Sequence, residues 1–233
     1  MKKLGLIFLL ATLGCQSKPG PGSTTIWIPE DLEIVLGSLT SQSFAALFPP
    51  YEDSRWQGYI QELGKKITRV SERPDFGYRF VVAASTIPNA FSAPDGTIFI
   101  TTGLLKICAD NEQEIAAVLS HEVAHVARRH GALLLQQRTG WRLLLLALFG
   151  VDTPALAVAG HLAGTLKSLG YGREMELDAD QAAIRYLKKL GYPPAALHHF
   201  LVKMAGQEKR LGIPGENYLV SHPPIGERLK ALQ

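Results

Sequence analysis

The chain has 233 residues, 46% hydrophobic and 19% charged, with two cysteines and a formal net charge of +3. That length and apolar content suit one compact domain and exclude a disordered or coiled-coil protein. Two cysteines cannot staple a small disulfide scaffold. Loss of Lys2 and Lys3 with a cleaved leader lowers the charge by two, to +1, which gives no electrostatic case for a nucleic-acid partner.

Met1 to Cys15 reads MKKLGLIFLLATLGC. Two lysines precede an apolar run that is too short to span a bilayer and fits a signal-peptide core. An ordinary signal peptide or an uncleaved anchor shares those features. The ending Thr12-Leu13-Gly14-Cys15 resembles a bacterial lipobox, which implies residues 1–14 as leader and a lipid on Cys15. Gln16 to Thr25, rich in Pro, Gly and Ser, reads as a flexible tether. The expected organisation is therefore a leader over 1–14, a lipidated tether over 15–25 and one folded domain over 26–233. The address is a bacterial cell envelope, with the domain held at a membrane and facing the periplasm.

Glu30 to Gly37 looks like a helix start. Trp56, Tyr59, Ile60, Leu63, Ile67 and Val70 recur at steps of three and four and predict an amphipathic helix over about Ser54 to Ser71, stopped by Pro74. Tyr78 to Ser85 is rich in aromatic and branched residues and reads as a strand. Asp95-Gly96 between two strand-like runs is a hairpin signal. Asp110 and Asn111 are good helix caps, and the helix they open is expected to run to about His130, with Gly131 as its stop. Trp141 to Phe149, WRLLLLALF, is too short to cross a bilayer. It reads either as a buried helix or as a flap facing membrane or substrate. A further helix is expected over about Glu174 to Leu190, and the remaining segments are helical with a loop at Ser221 to Pro224. Cys108 reads as a small buried hydrophobe.

His121-Glu122-Val123-Ala124-His125 is an H-E-x-x-H motif within a predicted helix. Histidines four apart share a helical face, so their imidazoles can converge on one metal ion. Glu122 is turned about 100° from His121, beside the metal rather than on it. There it can take a proton from a water that the metal has acidified. That arrangement suits hydrolysis of an amide without a protein nucleophile. A catalytic zinc takes three protein ligands, and the acidic run Glu174 to Asp180 offers candidates. Glu176 and Asp180 share a face, so one can ligate while the other accepts from a ligand histidine's free N–H. The same acids would also suit the dipole of a helix N-terminus without any metal.

His121 to His125 followed by Arg173-x-x-Glu176-x-x-Ala179-Asp180 resembles the metallopeptidase family that includes the CAAX prenyl endopeptidases and HtpX. The likeness extends to Asn89-Ala90-Phe91, Asp95-Gly96, Thr102 to Leu105, and His222-Pro223 with Arg228. Glu33 to Gly37 resembles the opening of the soluble, periplasmic members. The chain has neither the long transmembrane runs of some members nor the tetratricopeptide extension of others, and so resembles a minimal lipoprotein protease.

The resemblance implies a single α+β domain of gluzincin type, mainly helical with a small antiparallel sheet. It implies one zinc ion held by His121, His125 and Glu176, with Asp180 orienting a ligand histidine and Glu122 as general base. Asn89, Ala90 and Phe91 would form the edge strand that pairs with a substrate backbone. His222 would stabilise the oxyanion or occupy the open position on the metal, unless it is a solvated loop histidine. His130, His161, His198 and His199 are expected to be structural or exposed. The implied activity is endoproteolysis, with misfolded or unassembled envelope proteins as partners. The rival is a non-proteolytic envelope chaperone or adaptor with a structural or latent zinc site, in which Trp141 to Phe149 contacts clients and His222 supplies a fourth ligand.

Overall fold

The computed structural model describes residues 25–138, 171–211, 222 and 225–232. The leader, Cys15, nearly all of the tether, Trp141 to Phe149 and His161 lie outside the described residues. Helix α1 (Glu30–Leu47) begins after Pro29, with Glu30, Asp31 and Glu33 in its first turn, where negative charge suits the dipole. Helix α2 (Ser54–Thr68) is capped by Asp53, whose carboxylate accepts from the Arg55 and Trp56 N–H groups. Helix α2 is where the periodicity placed it, and α1 begins where the sequence looked like a helix start.

Strands β1 (Arg79–Ala83), β2 (Ala90–Ser92) and β3 (Thr97–Thr101) form one sheet in the order β1-β3-β2. The β2–β3 hairpin turns at Asp95-Gly96. Gly96 takes a left-handed φ of 87°, and the Asp95 carboxylate accepts from the Thr97 N–H at 3.0 Å. The sheet is mixed rather than wholly antiparallel, because β3 inserts between the other two strands and runs parallel to β1 (Arg79 opposite Thr97, Ala83 opposite Thr101). The hairpin signal could report only the antiparallel half.

Helix α3 (Thr102–Cys108) leads through Ala109 and Asp110, both left-handed, into α4 (Glu112–Ala127). Asn111 caps α4 by accepting from the Gln113 and Glu114 N–H groups. Every residue of α4 from Glu114 to Ala127 is buried. The helix bearing H-E-x-x-H is thus the axis of the molecule rather than an amphipathic surface helix. It packs against α2, β2, α6 (Arg173–Lys189) and α7 (Ala195–Leu211). It also stops three residues earlier than expected. Arg129 is left-handed, with φ 58°, and His130 opens a new helix, α5 (His130–Arg138). Gly131 therefore lies inside α5, where its missing Cβ makes room for the Pro94 ring. Helix α8 (Ile225–Ala231) closes the described fold. Cys108 is fully buried and unbridged. No helix among the described residues is long and apolar enough to cross a membrane.

Two helical glycines separate packing from propensity. A Cβ at Gly37 of α1 would lie 2.0 Å from the Asp95 backbone nitrogen, whereas one at Gly58 of α2 would meet nothing within 4 Å. Gly58→Ala is expected to stabilise the protein by about 0.5–1 kcal/mol. Gly37→Ala should destabilise it by about 1–3 kcal/mol, as overpacking does. Urea denaturation of the two variants reads the opposite signs directly.

Candidate metal centre

The first and last residues of H-E-x-x-H point the same way, and their Nε2 atoms lie 3.0 Å apart. Glu176 reaches them from α6, its two carboxylate oxygens 3.5 Å from His121 Nε2 and 3.3 Å from His125 Nε2. Donor atoms of His121, His125, Glu176 and His222 all lie within 4.8 Å of one another, and all four residues are buried. His222, which the sequence left between a site position and a solvated loop, belongs to the cluster. Its Nδ1 is 2.7 Å from Glu176 and its Nε2 is 3.3 Å from Glu122.

The chemistry of this donor set fits a divalent cation. Glu122, Glu176 and Asp180 are three buried carboxylates facing one guanidinium, Arg228. With His121 and His125 neutral and His222 holding the proton that Glu176 and Glu122 favour on it, one negative charge remains. Glu122 Oε2 and Glu176 Oε2 are buried and accept no hydrogen bond, although Arg228 Nη1 stands 3.1 Å from the latter. Burial opposes ionisation of Glu122, but the hydrogen bond and charge of His222, with His121 and His125 behind, bring its pKa to about 2. Burial pulls His125 the other way, to about 3, which keeps it neutral and able to ligate.

Asp180 lies one turn after Glu176 on α6 and accepts from His121 Nδ1 at 2.9 Å. Burial raises its pKa, but Arg228 and His121 outweigh that and bring it to about 2. Arg228 Nε donates to Asp180 at 2.8 Å, so α8 is fastened to the carboxylates of α6. The sequence had matched Arg228 to the family without giving it a function. Tyr171 was also not foreseen. Its ring stacks on His125, with centroids 3.8 Å apart.

The expected substrate strand is an edge strand, but its three residues differ. Thr101 donates to the Asn89 carbonyl and Ala93 to the Thr97 carbonyl, and Phe91 stands opposite Phe99. By the alternation of an antiparallel ladder, Phe91 then turns its backbone to β3, while Ala90 and Ser92 turn theirs to the outer edge, where the Ser92 carbonyl accepts from the Tyr171 hydroxyl at 3.5 Å. The Phe91 side chain is also buried, against Phe44, Phe48 and Phe99. Ser92 takes the place in the edge that the sequence had given to Phe91. Asn89 precedes the strand, with its side-chain oxygen buried and unpaired. Beside Ala90 a small pocket runs from His121, Glu122 and His222 to an apolar wall that includes Leu104, Val118 and Phe200. His198 is half-buried and His199 exposed, outside the cluster.

The fold and donor set are those of a helical α+β metalloprotein built on H-E-x-x-H. Residues 54–233 match peptidase family M48, and the chain belongs to that family, whose members are zinc metallopeptidases. It is 29% identical over 212 residues to the beta-barrel assembly-enhancing protease of Yersinia pestis, covering 85% of this chain and 43% of that protein. With the protease of that name from Escherichia coli (strain K12) the identity is 28%, over 84% of this chain and 42% of that protein. With the mitochondrial metalloendopeptidase OMA1 of Saccharomyces cerevisiae (strain ATCC 204508 / S288c) it is 28%, over 89% and 65%. The chain thus spans less than half the length of the bacterial relatives named here.

Removing Arg228 would strand two buried carboxylates. Arg228→Ala is expected to lower the stability of the metal-free protein by about 3–5 kcal/mol. Lys65→Ala, which breaks a surface pair with Glu62, should change it by less than about 1 kcal/mol. Thermal unfolding of the two variants after chelation checks the contrast.

Proposed function

We propose that the chain is a zinc endopeptidase, in which His121, His125 and Glu176 hold the metal and Glu122 is the general base. The observation that carries this reading is the convergence of two imidazole Nε2 atoms and one carboxylate, with the Glu122 carboxylate alongside. When bound, zinc supplies a Lewis acid that polarises the scissile carbonyl and acidifies the attacking water. Glu122, ionised in the neutral range, takes that water's proton and passes it to the leaving amine. Asp180 holds the His121 proton on Nδ1 and so leaves Nε2 free to ligate. His222, between Glu122 and Glu176, occupies the open side of the site. The backbone of Ala90 and Ser92 offers an edge along which an extended peptide adds a strand, and the apolar wall takes a neighbouring side chain of that peptide.

The substrates of this reading are polypeptides, and more narrowly misfolded or unassembled envelope proteins. The bacterial relatives' name, which ties them to β-barrel assembly, supports the narrower statement. A lipid on Cys15 would hold the domain over residues 26–233 at the membrane, facing the periplasm. The adaptor reading is disfavoured by Glu122. A structural zinc has no use for an ionised carboxylate beside its ligands, although His222 does offer such a site a fourth donor.

Glu122→Gln should retain one zinc per chain while casein cleavage falls by about 10²–10⁴-fold. 1,10-Phenanthroline should abolish wild-type cleavage, and added zinc should restore it. Cleavage by Glu122→Gln at the native rate would remove the general-base assignment. Bound zinc with no cleavage by the wild type would favour the adaptor.

A further inference from the structure

The two histidines of the motif are supported differently. His121 Nδ1 meets the carboxylate of Asp180 directly. His125 Nδ1 meets another histidine, with His130 Nδ1 3.0 Å away. Behind it, His130 Nε2 stands 3.2 Å from Asp178 Oδ2. Asp178 is gripped in turn by Arg128, whose Nε and Nη2 donate to its two oxygens at 2.7 and 2.6 Å.

Only one placement of protons satisfies this chain. His125 Nε2 faces His121 Nε2 and Glu176, so a ligating His125 carries its proton on Nδ1. That N–H needs an acceptor, and His130 Nδ1 is the atom within reach. His130 then carries its own proton on Nε2 and donates it to Asp178. A misplaced proton anywhere along the chain would set two donors or two lone pairs against each other in a buried space.

The backbone is bent to make the contact. Five residues along a continuous helix, His130 would be turned about 140° away from His125. Left-handed Arg129 ends α4 and returns His130 beneath the motif. That conformation is unfavourable for a residue with a Cβ, and Arg129 is held in it from α1 and the segment before it. Its Nε donates to Glu33 at 2.8 Å and its Nη2 to the Ile28 carbonyl at 2.6 Å. These residues precede the family match, which begins at residue 54.

We propose that His130, backed by Asp178, is a positioning residue for His125, setting its tautomer and ring plane and strengthening Nε2 as a metal donor. The inference rests on the assignment of His125 as a zinc ligand. Hydrogen bonding through an interposed imidazole carries the pull of the carboxylate to the ligand. α6 would then supply one ligand, Glu176, and the carboxylates behind both histidines.

The test is zinc affinity, measured by competition with a chromophoric chelator, for the wild type, His130→Ala, His130→Asn and Asp178→Asn. The visible absorption of the cobalt-substituted proteins is recorded alongside. His130→Ala is expected to bind zinc about 10–100-fold more weakly, with an altered cobalt spectrum. His130→Asn, whose side-chain oxygen falls near the position of Nδ1, should recover most of that affinity and the wild-type spectrum. Asp178→Asn should lose less than His130→Ala but measurably. Since Asp178 is one-third exposed, it carries the test if His130→Ala does not fold. Wild-type affinity in His130→Ala, or in Asp178→Asn where that variant stands alone, would overturn the inference. So would His130→Asn binding as poorly as His130→Ala. A wild type that binds no zinc would instead overturn the metal assignment, and the inference with it.

Discussion

Three carboxylates, Glu122, Glu176 and Asp180, share the dry centre of this protein, each no more than 1% exposed. Charges so placed are tolerated only when surrounded by donors and opposite charge, and that requirement organises the structure around them. Arg228 lies against Asp180 and Glu176 and thereby ties α8 to α6. His121 and His125 bring α4 to the same point, and His222 joins from between α7 and α8. The packing of α4, α6 and α8 and the assembly of the site are therefore one event.

A buried carboxylate outside the site repeats the arrangement with a single negative charge. Glu33 of α1, also 1% exposed, lies between Arg73 and Arg129. Arg73 donates further to the Val126 carbonyl near the end of α4, which also accepts from the Arg129 backbone N–H. α1 lies before the residues that match the family, yet through Glu33 it secures the turn that follows the motif.

Much of the frame was legible along the chain. The α2 periodicity, the Asn111 cap and the Asp95-Gly96 turn are local, and the structure reproduces each within a few residues. The motif histidines could be paired by spacing alone, because residues four apart on a helix lie on one face. The parallel partner of β1 was not legible, since which strand inserts beside it is decided by chain return rather than by pattern. His130 was set aside because a zinc site with three protein ligands already had its set, and spacing gave no hint of its contact, since on an unbroken helix it faces away. Nothing in its neighbourhood announces that Arg129, rather than Gly131, takes the left-handed turn. Tyr171 has no periodic or motif signal at all.

By itself the sequence determined the elements, their caps, the metal-facing pair on α4 and the acidic opening of α6, all set by interactions within a few residues. The family resemblance singled out Glu176 and Asp180 from that acidic run. Only the tertiary structure decided what meets at the centre. Arg228 and His121 are 107 residues apart, and His222 and Glu176 are 46 apart. Such contacts form when separate helices bury their charged faces together, and burial is a property of the packed fold that no local pattern encodes.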